Sequence, residues 1–165
     1  MTMKILVLSD SHSSLRFIKR CVETIKPNAI VHLGDHYDDG AVLAEENPHI
    51  TVHQVAGNCD KYRAPVDARE MLCYQLGGVM TYMTHGHLLH VKLGIGALTA
   101  EARRYGAQVV LYGHTHVPDC HQEEDGLWVL NPGSAGSGWA GLLKTDGEKV
   151  TACYFVTEND LEDML

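Results

Sequence analysis

The sequence predicts an α/β fold, and three observations carry that expectation. Short continuous apolar runs alternate with amphipathic stretches through the first 115 residues, the pattern of buried strands and the helices that cover them. Beyond that point the chain changes to pairs of strand-like runs separated by turn residues. Each early apolar run also ends in a side chain able to bind a metal ion, as ligands do at the carboxyl ends of strands in open α/β sheets. At 165 residues the chain has the length of one domain with its own core, so a single domain over 1–165 is expected.

The elements follow in order. MKILVLS, residues 3–9, reads as the first strand. Ser13 to Lys26 places Leu15, Ile18, Val22 and Ile25 at helical spacing, with Ser13 or Ser14 as N-cap and Pro27 just past the end. AIVHLG (29–34) is the second strand, a shorter acidic helix spans Gly40 to Asn47, and TVHQVAG (51–57) is the third strand. MLCYQL and VMTYMT flank Gly77-Gly78 and read as a hairpin whose turn uses glycine to reach positive φ. Gly94 to Tyr105 is a helix and QVVLYG (108–113) another buried strand. VPDCHQ with LWVLN, then GLLKT with VTACYFV, form two further pairs, so the second half is expected to be mostly antiparallel. The acidic tail ENDLEDML is expected to be a solvated terminal turn.

Thirteen basic against 21 acidic residues give a formal charge of −8. Such a surface repels nucleic acid and anionic membrane unless bound cations offset it, and no basic stripe is evident. Cys21, Cys59, Cys73, Cys120 and Cys153 are odd in number, widely spaced and without a C-x-x-C pair. That argues against a disulfide framework and a thiolate zinc site, and fits a reducing cytoplasm. The N-terminal apolar run is too short for a signal peptide, and no run reaches transmembrane length.

The chemistry gathers where the apolar runs end. The first is followed by Asp10 and His12, the second by Asp35, the third by Asn58, VMTYMT by His85, and QVVLYG by His114 and His116. Taken singly, Asp10-Ser11-His12 reads as a helix cap with a stray histidine, and Asp35 and Asn58 read as turn residues. Together they form a mixed oxygen and nitrogen set that suits Mn²⁺, Fe²⁺, Zn²⁺ or Ni²⁺. Seven ligands exceed the needs of one ion. Two ions about 3.5 to 4 Å apart, sharing Asp35, would use them all. No G-x-x-x-x-G-K is present, and the glycines around Ser134 lack the spacing of a nucleophile elbow.

Read in order, the motifs are D-S-H at 10–12, G-D at 34–35, G-N-C-D at 57–60, T-H-G-H at 84–87, G-H-T-H at 113–116 and N-P-G-S at 131–134. The set resembles the calcineurin-like metallophosphoesterases. Within them it is similar to the small bacterial and archaeal phosphodiesterases, to which the eukaryotic retromer scaffold subunit is also similar. The resemblance implies a four-layer α/β/β/α sandwich of two mixed sheets flanked by helices, with two divalent metal ions, commonly Mn²⁺, at one end of the sheets. It implies that Asp10, His12 and His116 hold one ion, that Asn58, His85 and His114 hold the other, and that Asp35 bridges them. It further implies attack on a small phosphodiester by a hydroxide that bridges the ions, with Asp60, His87 and Asn131 as outer partners that fix the imidazoles. Many members of the superfamily carry histidine where this chain has Cys59, a position that binds phosphate and serves as a catalytic acid. A thiol there brings no positive charge, so substrates with good leaving groups are favoured over phosphomonoesters. His36 and His87 are alternative acids. A phosphomonoesterase or a non-catalytic metal-binding scaffold is the rival reading, and assembly into a homo-oligomer is left open.

Overall fold

A computed structural model describes residues 2–164. The elements are β1 (Met3–Leu8), α1 (Leu15–Ile25), β2 (Ala29–His32), α2 (Tyr37–Glu46), β3 (Thr51–Gln54), β4 (Met71–Leu76) and β5 (Val79–Thr84), then α3 (Gly96–Arg104), β6 (Val109–Leu111), β7 (Asp119–Gln122), β8 (Trp128–Asn131), β9 (Trp139–Thr145), β10 (Val150–Thr157) and α4 (Glu158–Asp163).

The strands form two five-stranded sheets, ordered β10-β9-β1-β2-β3 and β4-β5-β6-β8-β7. In the first sheet β1, β2 and β3 run parallel, while β9 is antiparallel to both β1 and β10. In the second, β5, β6 and β8 run parallel, while β4 and β7 are the antiparallel edge strands. Both sheets are therefore mixed. The second half of the chain is less antiparallel than its strand pairs suggest, because β8 crosses over to lie parallel to β6.

Period-two alternation turns β1 into a double-sided core strand. Ile5 and Val7 join Val31, Leu33, Met83, Val109, Leu111 and Leu130 in the apolar layer shared by the two sheets. Leu6 and Leu8 face the other way, into a cluster with Phe17, Ile18, Val22 and Ile25 of α1 and Leu43 of α2. On the far side, Tyr82, Val110 and Val129 of the second sheet pack on Leu98 and Ala102 of α3. The order helix, sheet, sheet, helix is the expected four-layer sandwich, with each sheet buried on both faces.

Several boundaries differ from the sequence expectation. Strands β2, β3 and β6 stop two or three residues early, because the residues after them turn to form loops. Helix α2 begins at Tyr37, not Gly40. Its first N–H is received by a distant side chain, since Tyr37 donates to Asp60 Oδ1 at 2.8 Å. The tail is not a solvated turn: Thr157 and Asp160 form a capping box that starts α4, and Leu161 is fully buried beside α1. The Gly77-Gly78 hairpin is as expected, with φ of 61° and 79°. Among the described residues no helix is long and apolar enough to cross a membrane.

Candidate metal centre

The loops that follow β1, β2, β5 and β6 bring their polar side chains to one place. Asp10, Asp35 and His85 lie at its floor and are buried, and their ligand atoms fall within 4.8 Å of one another. His85 Nε2 is 3.4 Å from Asp35 Oδ2, 3.9 Å from Asp10 Oδ1 and 3.2 Å from His114 Nδ1. Asp10, His12 and His116 form a second group within the same limit, with His116 Nε2 3.1 Å from Asp10 Oδ1. Asp10 thus belongs to both groups. His12 and His116 are exposed, and their ring centroids stand 5.6 Å apart. Asn58 is exposed at the start of a single 3₁₀ turn after β3, next to Cys59, whose backbone N–H donates to Asp35 Oδ1 at 2.9 Å. A cleft of about 570 Å³ opens beside Asn58 and His87, bordered by Lys61, Val66 and Glu70.

This convergence needs unusual backbone. Asp10, His12, Asp35, His114 and His116 all adopt left-handed conformations, with φ between 46° and 69°. Each costs on the order of 1 kcal/mol for a residue with a Cβ, and such strain concentrates at functional sites. The glycines preceding Asp35, Asn58 and His114 are there for close approach. A Cβ at Gly57 would meet Asp35 Oδ1 at 2.3 Å, and one at Gly113 would meet Ser9 Oγ at 2.0 Å. Gly34 would strike Gly57 N at 2.6 Å. No side chain fits between these loops.

Hydrogen bonds hold the strained loops in place. His85 Nδ1 donates to the Leu33 carbonyl at 2.8 Å, which directs its Nε2 at the two carboxylates. Asp60 accepts the N–H groups of Asp35 and Gly57 on one oxygen and that of Tyr37 on the other. Asn131 donates to Thr115 Oγ1 and the Gly113 carbonyl, and Ser134 Oγ donates to the Asp10 carbonyl. Asp60 and Asn131 therefore grip backbone and a hydroxyl, not imidazole rings as the motifs suggested. His87 Nδ1 is buried with no hydrogen-bond partner among the described residues.

The chain matches the calcineurin-like phosphoesterase superfamily domain over residues 3–159. It belongs to that family. It is similar to a probable metallophosphoesterase of Mycoplasma pneumoniae, 29% identical over 134 residues, with 79% of this chain and 78% of the relative covered. A phosphodiesterase of Methanocaldococcus jannaschii is 27% identical over 145 residues, covering 79% of this chain and 83% of its own. The crystal structure of a predicted phosphoesterase from Streptococcus pneumoniae superposes with a TM-score of 0.76 at 27% identity, covering 96% of this chain and 91% of that one.

In this calcineurin-like phosphoesterase the electrostatics of the floor follow from burial and charge. Burial alone would raise the pKa of Asp35, but the hydrogen bond and charge of His85, with the Cys59 N–H, hold it well below the usual carboxylate range. For His85 burial works to lower the pKa, and the carboxylates of Asp35 and Asp10 outweigh it, so the net shift is upward. His114 and His87 move down, through burial first and the neighbouring His85 charge second. Burial and the nearby Asp35 carboxylate push the Cys59 thiol up.

One supporting network was missed at the sequence level. His32, fully buried in β2, receives the Gly34 N–H on Nδ1 at 3.2 Å and meets Ser11 Oγ with Nε2 at 2.8 Å. The Ser11 hydroxyl donates to Asp39 Oδ2 at 2.6 Å, and the same oxygen accepts the Ser13 N–H at 2.8 Å. This chain pins the loop between Asp10 and Ser13. A histidine inside the apolar run AIVHLG was the available signal, since a buried imidazole requires partners.

Proposed function

We propose that this phosphoesterase is a metal-dependent phosphodiesterase acting on a small phosphodiester, with two divalent cations, Mn²⁺ in the first place and Zn²⁺, Fe²⁺ or Ni²⁺ as alternatives. The observation that carries the reading is the close approach of the Asp10, Asp35 and His85 ligand atoms, all buried, with His85 held so that its Nε2 faces the carboxylates. Two anionic carboxylates beside oriented imidazoles are a donor set that a divalent cation satisfies and that little else would. Asp10, His12 and His116 would hold one ion, and Asn58, His85 and His114 the other. Asp35 is the proposed shared ligand, although Asp10 lies in both groups of donors. When bound, the ions supply Lewis acidity that activates water near neutral pH and offsets charge growing on phosphoryl oxygens.

The chain's own residues do the rest. The Cys59 N–H orients Asp35 through one oxygen and leaves the other facing His85. The raised thiol pKa keeps Cys59 protonated at neutral pH, which suits neither a nucleophile nor a metal ligand. It also brings no cation to the phosphate, so diesters with good leaving groups are preferred over monoesters. The neighbouring cleft has the volume of a small-molecule site, in keeping with a small ester. The cysteine spacing supports a cytoplasmic location.

The test is hydrolysis of aryl phosphodiesters and monoesters by metal-stripped protein with Mn²⁺, Ni²⁺, Zn²⁺ or Mg²⁺ restored in turn. Diester cleavage that returns with transition metals is the expected result. Full metal occupancy without hydrolysis of either ester would turn the reading to a non-catalytic scaffold.

A further inference from the structure

The two sheets share no strand, so they are joined by their apolar layer and by what lies at its two open edges. At one edge His53 of β3 hydrogen-bonds the Tyr74 hydroxyl of β4. At the other, β10 of the first sheet faces β7 of the second, each bringing a cysteine to the rim of the shared core. Cys120 Sγ lies 2.8 Å from Cys153 Sγ and 3.3 Å from the Cys153 carbonyl oxygen. That separation is within 1 Å of a disulfide bond, whose length is about 2.05 Å. Both residues are only partly buried, so a small oxidant reaches them.

We propose that Cys120 and Cys153 are a redox pair that closes to a disulfide under peroxide and staples β7 to β10 across the two sheets. The inference rests on neither the metal nor the phosphoesterase activity. The contact between the two sulfurs lets one thiol hydrogen-bond the other as a thiolate, which favours ionisation of one member of the pair, here Cys120. Its thiolate attacks hydrogen peroxide, the O–O bond breaks, hydroxide leaves, and Cys120 becomes a sulfenic acid. The Cys153 sulfur then attacks the sulfenic sulfur. The S–O bond breaks, and the second hydroxide departs with the Cys153 proton as water. The sum is two thiols and one peroxide giving one disulfide and two waters, with sulfur oxidised and peroxide oxygen reduced. The bond would close a loop spanning 33 residues and so restrict the unfolded chain.

The full chain, reduced and then treated with hydrogen peroxide, is alkylated under denaturing conditions and mapped by mass spectrometry without reduction. The expected result is one cross-linked peptide pair containing Cys120 and Cys153, lighter by two hydrogens than its parts. A parallel sample of free cysteine, oxidised to cystine, reports that the peroxide acted, while buried Cys21, its pKa pushed up to about 12, stays free. The thermal midpoint should rise on the order of 5–10 °C on oxidation and fall back with dithiothreitol. Cys120→Ser and Cys153→Ser should each lose both the link and the shift. Recovery of Cys120 and Cys153 as free thiols at a peroxide dose that oxidises the free cysteine would overturn the proposal. So would links from either to Cys59 or Cys73. The peptide map needs only the wild-type chain, so unfolding of a variant leaves the proposal open to refutation.

Discussion

Cys59 fixes Asp35 through its backbone, because its amide N–H donates to Asp35 Oδ1 at 2.9 Å, while the thiol lies beside the same carboxylate, which pushes its pKa up, and accepts from the Asn58 amide at 3.6 Å. Replacing the side chain should leave that bond intact. Cys59→Ala is therefore expected to keep metal-dependent diester hydrolysis within about tenfold of wild type, a change of about 1.4 kcal/mol in barrier. Total loss with metals still bound would make the thiol essential. Cys59→His places a cationic acid there and should speed substrates with poor leaving groups, as general acids typically do. Equal rates across a leaving-group series would count against that. His85 sets a second expectation. Its pKa is raised in the metal-free protein, net of burial, so a proton occupies the site at pH values where a free imidazole would have lost it. A metal ion must displace that proton, so affinity falls as pH drops through the raised pKa and is recovered above it. The slope should be about tenfold per pH unit for each proton released. Calorimetry in buffers of different ionisation enthalpy measures the release, and binding with none would contradict the assignment of His85 Nε2 as a ligand.

The ends of elements, not their middles, carry the site, and they were the harder part to read. Strand interiors were legible because β1, β2 and β6 are buried on both faces and so must be continuous apolar runs. The seven candidate ligands were legible because each follows such a run within a few residues. What was not legible depends on partners remote in sequence. Helix α2 starts early because Asp60, 23 residues away, receives its first N–H. The parallel pairing of β8 with β6 is likewise invisible in a stretch that reads as half of a hairpin. Leu161 looked solvated among acidic neighbours and is instead a buried anchor for α4. The His32, Ser11 and Asp39 chain belongs with these, since it joins β2 and α2 to the loop after β1. Ser11→Ala removes the middle of that chain and leaves a buried imidazole N–H without its acceptor. The cost should be about 1–3 kcal/mol. At about 2–4 °C per kcal/mol, the thermal midpoint should fall measurably, and metal affinity should fall with it because Asp10 and His12 lose the brace on their strained loop. An unchanged midpoint and affinity would show that the Ser13 N–H on Asp39, with Ser134 and Gly136 on the Asp10 carbonyl, holds the loop without Ser11.

Across the whole molecule, the centre sits where both sheets end, so a cation bound there ties the two halves of the sandwich together. Asp10 and Asp35 follow strands of the first sheet, His85 and His114 strands of the second. The sheets also share the layer containing Ile5, Val7, Val31, Met83, Leu111 and Leu130, and neither keeps that face covered if the other unfolds. Both facts argue for one cooperative unfolding transition, the behaviour of a single domain. Binding to the folded state alone adds about 2.7 kcal/mol when free metal is a hundred times the dissociation constant. For a chain of this size that is a rise of roughly 5–11 °C in thermal midpoint. Chelation should remove the rise and readdition restore it, with a single calorimetric peak in both states. A second peak that appears on chelation would mean that the sheets unfold separately and that the metal, not the shared core, couples them. A scaffold that kept its metal would pass this stability test too, so the midpoint reports occupancy, and only ester hydrolysis separates the enzyme from the scaffold.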